Sequence, residues 1–400
     1  MTHIAQKLAH IKPSQTKAIS QMAAALKGQG REIISLSLGE PDFNTPENII
    51  EAGARAMHEG HTRYTLVAGM LPLREQVVEK LSKDNHLTYE PDQITIGTGA
   101  KQVLYNAMVA TLDPGDEVII PTPCWVSYPE MVSLAGGVPV LVESRRENGY
   151  MLDPREVEAR ITPRTKWIVI NSPCNPTGVV YPDDQFKALA EVLRRHPQVF
   201  VLSDDVYEKL VYPGVIFTTM AKAAPDLADR CLVVNSFSKA YCMTGWRIGY
   251  GAGPAPLVKA MNLVQSQTTS HASSISQVAA IEALQGPQDY IPRFVEHFHQ
   301  RTQFIVEKVN QIDGMDCLMP QGAFYAFLNC SGFIGRTSPQ GKTISSDIDL
   351  AMYFMESANV AVVPGSAFLA ENHLRISCAT SMDNLVEAMK RIEAACRQLN

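Results

Sequence analysis

Between about residues 93 and 252 the chain alternates short apolar runs with stretches whose apolar residues recur at helical spacing. The runs are QITIG (93–97), EVIIP (117–121), KWIVIN (166–171), VFVLS (199–203), CLVVN (231–235) and RIGYGAG (247–253). Short β-rich runs separated by helices predict a parallel sheet built from βα units. Two intervening helices are well marked. One, over 101–112, is closed by the turn Asp113-Pro114-Gly115-Asp116; the other, over 183–195, puts Phe186, Leu189, Ala190 and Leu193 on one face. Upstream, Thr45-Pro46-Glu47 reads as an N-cap with proline at the first helical position, opening a helix that ends near Gly60. Beyond about residue 290 the pattern changes to a long charged amphipathic helix (294–311), short strands around 323–328 and 374–377, and a terminal helix. This tail predicts a smaller α+β domain. No repeat, proline-rich linker or low-complexity tract separates it from the sheet, so an extensive interface is expected.

Composition narrows the class. With 400 residues, 46% apolar and 19% charged, the chain is too long for one small core and too apolar for disorder. Its net charge of −6, from 35 Lys+Arg against 41 Asp+Glu, contains no single-sign run. Binding to nucleic acid or a membrane surface through bulk charge is therefore not expected. The eight cysteines never form C-x-x-C, which predicts buried reduced thiols, no metal site and a cytoplasmic location. The N-terminus lacks an apolar signal core, and no stretch approaches the ~18 apolar residues of a spanning helix. A soluble, unexported protein is expected.

In open parallel sheets, ligands bind beyond the carboxyl ends of the strands. The residues there are Thr98-Gly99-Ala100-Lys101, Ser172-Pro173-Cys174-Asn175-Pro176-Thr177-Gly178, Asp204-Asp205-Val206-Tyr207 and Ser236-Phe237-Ser238-Lys239. Lys239 is the first to weigh. A loop lysine is ordinarily a solvated charge, but this one follows an apolar strand, with Ser236, Ser238 and Arg247 nearby. A desolvated amine close to a second cation loses basicity and becomes a nucleophile toward carbonyls. The hydroxyls, Arg247 and the backbone N–H groups at Gly99-Ala100, where a helix begins, suit a phosphate. An amine nucleophile beside a phosphate cradle suggests pyridoxal phosphate.

The other polar residues extend this reading, each beside a plainer one. Asp204 would keep the cofactor's pyridine nitrogen protonated, or else cap a helix beginning at Val206; Asp205 is the rival carboxylate. Tyr207 and Asn175 would meet the ring's phenolic oxygen, although asparagine in a Pro/Gly-rich loop commonly forms only an Asx-turn. Trp125 follows a strand end and would stack on a planar ring, or belong to the core. Arg375, inside the apolar run Leu374-Arg375-Ile376-Ser377, needs an anion; a substrate carboxylate or an internal ion pair would serve equally.

Taken together, Asn175-Pro176-Thr177-Gly178, Asp204-x-x-Tyr207, Ser236-x-Ser238-Lys239 with Arg247, and Arg375 occur in an order that resembles the class I aminotransferases of fold type I. The similarity runs from Lys12-Pro13-Ser14 to the terminal helix. It implies an α/β fold whose large domain (46–290) holds a mainly parallel seven-stranded sheet flanked by helices. Residues 1–45 and 291–400 would form a small domain that closes over substrate. It further implies an obligate homodimer with the active site at the interface, Tyr64 reaching the neighbouring cofactor's phosphate.

Carried over position by position, Lys239 is the Schiff-base lysine of pyridoxal 5′-phosphate and Asp204 the pyridinium partner. Asn175 and Tyr207 hold the ring oxygen and Trp125 stacks. Gly99, Ala100, Ser236, Ser238 and Arg247 hold the phosphate, and Gly39 and Arg375 meet the substrate carboxylate. Within the family, the segments Ile11–Thr16, GTGAKQ and Trp125–Glu130 look like bacterial aspartate aminotransferases, some of which use prephenate. There the residues matching Thr16 and Lys101 help recognise the second carboxylate, and Lys12 is linked to prephenate. Lys101 could instead cap its own helix or stay in solvent. Cys124 and Cys378 replace the usual tyrosines, which predicts a reshaped pocket, and Ala100 replaces a frequent glycine.

The activity expected is transfer of an amino group between an L-amino acid, aspartate or glutamate first, and a 2-oxo acid, with ping-pong kinetics. Prephenate, aromatic or other partners, or lyase chemistry on the same cofactor, are the alternatives. Other classes fare worse. Ser236-x-x-Lys239 spells the start of a serine acyl-enzyme motif, but S-D-N and K-T-G are absent. Gly97-Thr98-Gly99 fails the dinucleotide fingerprint because Gln102 holds its third position. A cofactor-binding regulator would need a nucleic-acid module, for which residues before 46 leave no room.

Overall fold

The computed structural model describes residues 3–5, 8, 9, 11, 13 and 15–400. Thirteen strands follow one another along these residues: β1 (Ile34–Ser35), β2 (Ile94–Gly97), β3 (Glu117–Thr122), β4 (Val138–Glu143), β5 (Thr165–Asn171), β6 (Phe200–Asp204), β7 (Cys231–Ser236), β8 (Gly249–Ala252), β9 (Asp316–Cys317), β10 (Tyr325–Asn329), β11 (Val360–Ala361), β12 (Val363–Pro364) and β13 (His373–Ser377).

Seven of them form one sheet in the order β2-β8-β7-β6-β5-β3-β4. The β7-β6-β5-β3-β4 segment is parallel, whereas β8 runs antiparallel to both of its neighbours. Strands β5 and β7 are buried almost throughout, which is why KWIVIN and CLVVN are continuous apolar runs without alternation. Strand β4 is not among the expected runs. It lies at the sheet edge with Val138 and Leu141 exposed, and an edge tolerates both its Pro139 and its mixed pattern.

Helices cover the sheet. Asp183–Arg195 forms as read, with Asp183 and Asp184 in its first turn, Arg194 and Arg195 in its last, and Phe186, Leu189, Ala190 and Leu193 buried; these end charges suit the helix dipole. The helix after β2 spans Ala100–Thr111, and the long helix spans Tyr290–Val309 rather than 294–311. Thr45 does not cap the helix Glu47–His58. Its hydroxyl instead donates to the Cys242 carbonyl at 2.7 Å and accepts from the Trp246 indole at 3.0 Å, tying the helix entry to the loop after Lys239. No helix begins at Val206: the chain there makes turns, and Asp204 accepts only a 3.4 Å bond from the Val206 N–H.

A second core lies outside the large sheet. It gathers Leu36, Ile305, Leu328, Phe333, Phe354, Val360, Ile376, Met389 and their neighbours around the four-stranded sheet β12-β13-β10-β9. Strand β1 joins this part by pairing in parallel with β11. The helix Gln15–Gly28 packs Ile19 and Ala23 against Met355 and Ala361. The helix Gln15–Gly28 and β1 thereby meet the C-terminal third of the chain.

Candidate active site

The carboxyl ends of β5, β6 and β7 lie side by side, with Asn171 opposite Asp204 and Asp204 opposite Val234. A cavity of about 500 Å3 opens there, between the sheet and the helix Gln15–Gly28. Thr16, Gly39, Ala100, Lys101, Trp125, Asn175, Asp204, Tyr207, Ser236, Ser238, Lys239, Arg247 and Arg375 all line it. Residues from nine separate segments are thus brought to one place.

Lys239 lies in the middle of the charge pattern. Burial lowers its amine to about 8, repulsion from Arg375 and Arg247 acts the same way, and Glu40 and Asp204 oppose it. The amine donates to the Gly39 carbonyl. Asp204, itself buried, accepts the Tyr128 hydroxyl at 2.5 Å. Burial raises its carboxyl to about 6, although the Tyr128 and Val206 donors and the nearby Lys239 pull the other way. A weakly basic amine and a buried acid within one cavity can hold and move protons near neutral pH.

Arg375 is buried and stacks over Tyr325 and Phe368, 4.4 and 4.8 Å from their ring centroids. Its guanidinium donates to Asn175 Oδ1 at 3.1 Å and to the Ser37 carbonyl at 2.8 Å, while its Nε has no partner. No carboxylate among the described residues neutralises it, so the internal ion pair considered from the sequence is not formed. A buried guanidinium with a spare donor, facing a cavity, awaits an anion.

A second anion cradle lies at the start of the helix Ala100–Thr111. Gly99 adopts φ +79° there, and a Cβ on it would stand 2.6 Å from Arg247 Nη2. Only glycine lets the guanidinium approach this closely. Ala100 opens the helix, so its N–H has no acceptor within it, and alanine serves as well as glycine for that donation. Ser236 and Ser238 share a 2.8 Å hydroxyl bond beside it.

Trp125 stands at the wall, edge-on to Tyr128. Lys101 Nζ lies 4.6 Å over its ring and donates to the Ser127 hydroxyl at 3.1 Å, so this lysine does not cap its own helix, while its side chain stays exposed to solvent at the cavity wall. Asp205 points away from the cavity, its Oδ1 accepting the Ser203 hydroxyl at 2.8 Å, which removes it as the rival carboxylate. Cys124 and Cys378 are buried and do not line this cavity. Cys124 instead borders a separate narrow space with Tyr128 and Cys174, and Cys378 pairs its N–H with the Phe324 carbonyl. Tyr64 lies away from the cavity, 92% exposed and edge-on to His271. Lys12 lies outside the described residues.

Three cavity residues escape a reading of the sequence. Tyr128 bonds Asp204, Tyr325 bonds the Tyr207 hydroxyl at 2.9 Å, and Asn171 donates to the Asp204 carbonyl at 2.9 Å while accepting the Asn175 N–H. Asn171 carries a signal, as the polar residue that closes an apolar strand. Tyr128 and Tyr325 depend on tertiary pairing.

The family model for aminotransferases of class I and II matches residues 31–392. The chain belongs to this family. The aminotransferase is 51% identical to an aspartate/prephenate aminotransferase of Cereibacter sphaeroides over 400 residues, covering 100% of each chain. It is 50% identical to an aspartate aminotransferase of Rhizobium meliloti over 396 residues, 99% and 97% of the two chains. Among solved structures, an aspartate aminotransferase from Rhizobium meliloti superposes with TM-score 0.97 at 49% identity, covering 100% of both chains. One from Thermus thermophilus with maleate superposes with TM-score 0.92 at 40% identity, covering 99% of this chain and 100% of that one. The fold is therefore fold type I, and the enzyme is a pyridoxal 5′-phosphate-dependent aminotransferase. The residues present fit that cofactor: an amine, a buried acid, an aromatic wall and an anion cradle where a Cβ at residue 99 would collide with Arg247.

Proposed function

We propose that this aminotransferase takes aspartate or glutamate as amino donor and a 2-oxo acid as acceptor, in ping-pong order. The observation that carries the reading is a pair of separate cationic groups in one cavity, Arg375 on β13 and Lys101 on the helix Ala100–Thr111, with the Lys239 amine in the same space. A dicarboxylic amino acid offers one acid for each. The activities named for the Cereibacter and Rhizobium relatives, and the maleate held by the Thermus protein, support the same reading.

In this reading Lys239 would hold the cofactor covalently and, once the substrate amine has displaced it, its freed amine would take the substrate Cα proton. Asp204 keeps the pyridine nitrogen protonated, itself steadied by Tyr128. Asn175 and Tyr207 hold the ring oxygen, and Trp125 stacks on the ring. Gly99, Ala100, Ser236, Ser238 and Arg247 bind the phosphate, joined by Tyr64 of a second subunit. Gly39 and Arg375 bind the α-carboxylate, and Lys101 with Thr16 the distal acid. The cofactor, when bound, supplies an electron sink for the Cα carbanion. Prephenate as a further acceptor is favoured by the activity named for the Cereibacter relative, with Lys12 the residue assigned to it.

The assembly proposed is a homodimer, supported by the exposed Tyr64, Leu66, Leu71 and Leu263. Its domains are 46–290, and 1–45 with 291–400, a division supported by the second core, which joins Leu36 to residues 305–399 alone. Eight free, buried cysteines support a cytoplasmic location. The test is a half-reaction screen with single amino acids, followed by the cofactor's absorbance. Rapid conversion with aspartate and glutamate is expected. Release of pyruvate and ammonia, or preference for apolar donors, would overturn the reading.

A further inference from the structure

Five cations line the cavity, namely Lys17, Lys101, Lys239, Arg247 and Arg375, against the two carboxyl groups of Glu40 and Asp204. Glu40 accepts the Thr244 hydroxyl at 3.0 Å, and Asp204 is held by Tyr128, so neither neutralises the rim. The proposed function employs every cation but one. Lys17 stands on the helix Gln15–Gly28, one residue after Thr16, and is exposed at the cavity mouth. Lys101 faces the same space from the helix Ala100–Thr111.

The Lys101 ammonium feels the charge of Lys17. After partial burial, repulsion from Lys17 is the largest influence lowering the Lys101 pKa, ahead of Arg247. Neither lysine is paired with a carboxylate among the described residues. Like charges gathered in a fold disfavour the charged state unless an anion joins them. The orientation of Lys101 is fixed by Trp125 and Ser127, whereas Lys17 is exposed to solvent.

We propose that Lys17 is a second cation for the substrate's distal acid, closing with Lys101 as a two-sided clamp across the cavity mouth. The inference rests on the dicarboxylate reading above and adds to it a specificity-determining residue. Lys17 and Lys101 reach the cavity from different helices, and an exposed ammonium senses the charge of the distal group more than its shape. Because Lys17 is exposed, its contribution should be screened by salt and should be small for a donor whose side chain is neutral.

The test compares wild-type holoenzyme with Lys17→Met, Lys17→Glu and Lys101→Met, measuring kcat/KM for aspartate and for alanine, and inhibition by succinate and by butyrate. An exposed charge contact is worth about 0.2–1 kcal/mol, so the aspartate-to-alanine ratio should fall about 1.4- to fivefold in Lys17→Met. It should fall further in Lys17→Glu. Succinate inhibition should weaken in parallel while butyrate changes less, and the gap between wild type and Lys17→Met should shrink at ~1 M salt. If Lys101→Met lowers the ratio and both Lys17 variants leave it unchanged, Lys17 is a solvated surface charge and the proposal is overturned, with the dicarboxylate reading intact. If wild type itself shows no preference for aspartate over alanine or for succinate over butyrate, the dicarboxylate reading fails and the clamp with it. Retained cofactor absorbance in each variant shows that the exposed substitution has not disturbed the fold.

Discussion

Replacing Asp204 with asparagine separates what this carboxyl does for the fold from what it does for catalysis. Asp204 ends β6, is buried and is pushed from 3.8 to about 6 chiefly by burial. Its folded value lies above its unfolded one, so the stability it contributes is complete below pH 4 and is lost as pH rises through about 6. With a tenfold change in proton affinity equivalent to about 1.4 kcal/mol, ionised Asp204 costs the cofactor-free protein about 3 kcal/mol above pH 7. Asparagine keeps the acceptor for the Tyr128 hydroxyl and carries no charge. For 400 residues, with an unfolding entropy of about 2.1 cal/mol/K per residue, the gain amounts to a rise in Tm of about 4 °C. Thermal unfolding of the cofactor-free wild type and Asp204→Asn at pH 8 and pH 4 measures it. The variant should be more stable at pH 8 and indistinguishable at pH 4, while its holoenzyme loses about 10²–10⁴ in kcat through loss of the acid partner. A variant less stable at pH 8, or a gap equal at both pH values, would refute the assignment of burial as the cause.

Arg375→Lys keeps the charge but loses the guanidinium fork that already spans Asn175 and Ser37; KM for both amino donor and oxo acid should rise about 10- to 100-fold, and an unchanged KM in steady-state assays would remove Arg375 from carboxylate binding. Lys80→Met breaks the buried contacts of Lys80 with Glu208 and Asn85, leaving an uncompensated carboxylate just beyond Tyr207. Calorimetry should show a loss of about 3–5 kcal/mol, and a Tm within 1 °C of wild type, roughly the shift for 1 kcal/mol at this size, would contradict it. Lys239 sits at about 8 with Arg375 as its largest charged perturber. The rate at which the cofactor-free protein captures pyridoxal phosphate should therefore climb with pH and level off above about 8. In Arg375→Met the midpoint should move to higher pH, because a repelling cation is gone; stopped-flow absorbance that shows no displacement would exclude that repulsion.

The legible parts of this molecule are those whose physics is local. KWIVIN and CLVVN announce buried strands because both faces are covered, and Asp183–Arg195 announces itself by acidic and basic ends around one apolar face. The polar residues after those strands are conspicuous for the same reason, and the cavity gathers them. What escapes depends on pairing across the chain. Strand β4 is half exposed at an edge and lacks a core pattern. Tyr325 lies on β10 beside β13 and reaches Tyr207 only through that packing. Thr45 looks like a helix cap because the local string allows it, yet Trp246 and Cys242, some two hundred residues away, claim its hydroxyl. Position in the string puts Cys124 and Cys378 in the pocket, whereas their backbone contacts with Phe368 and Phe324 bury them away from it.

The most direct measurement is hydride reduction of the holoenzyme followed by peptide mapping. The account predicts one pyridoxyl-modified peptide, carrying its adduct on Lys239 and no other lysine. An adduct on Lys101 or Lys17, or none on Lys239, would contradict the arrangement of the whole site.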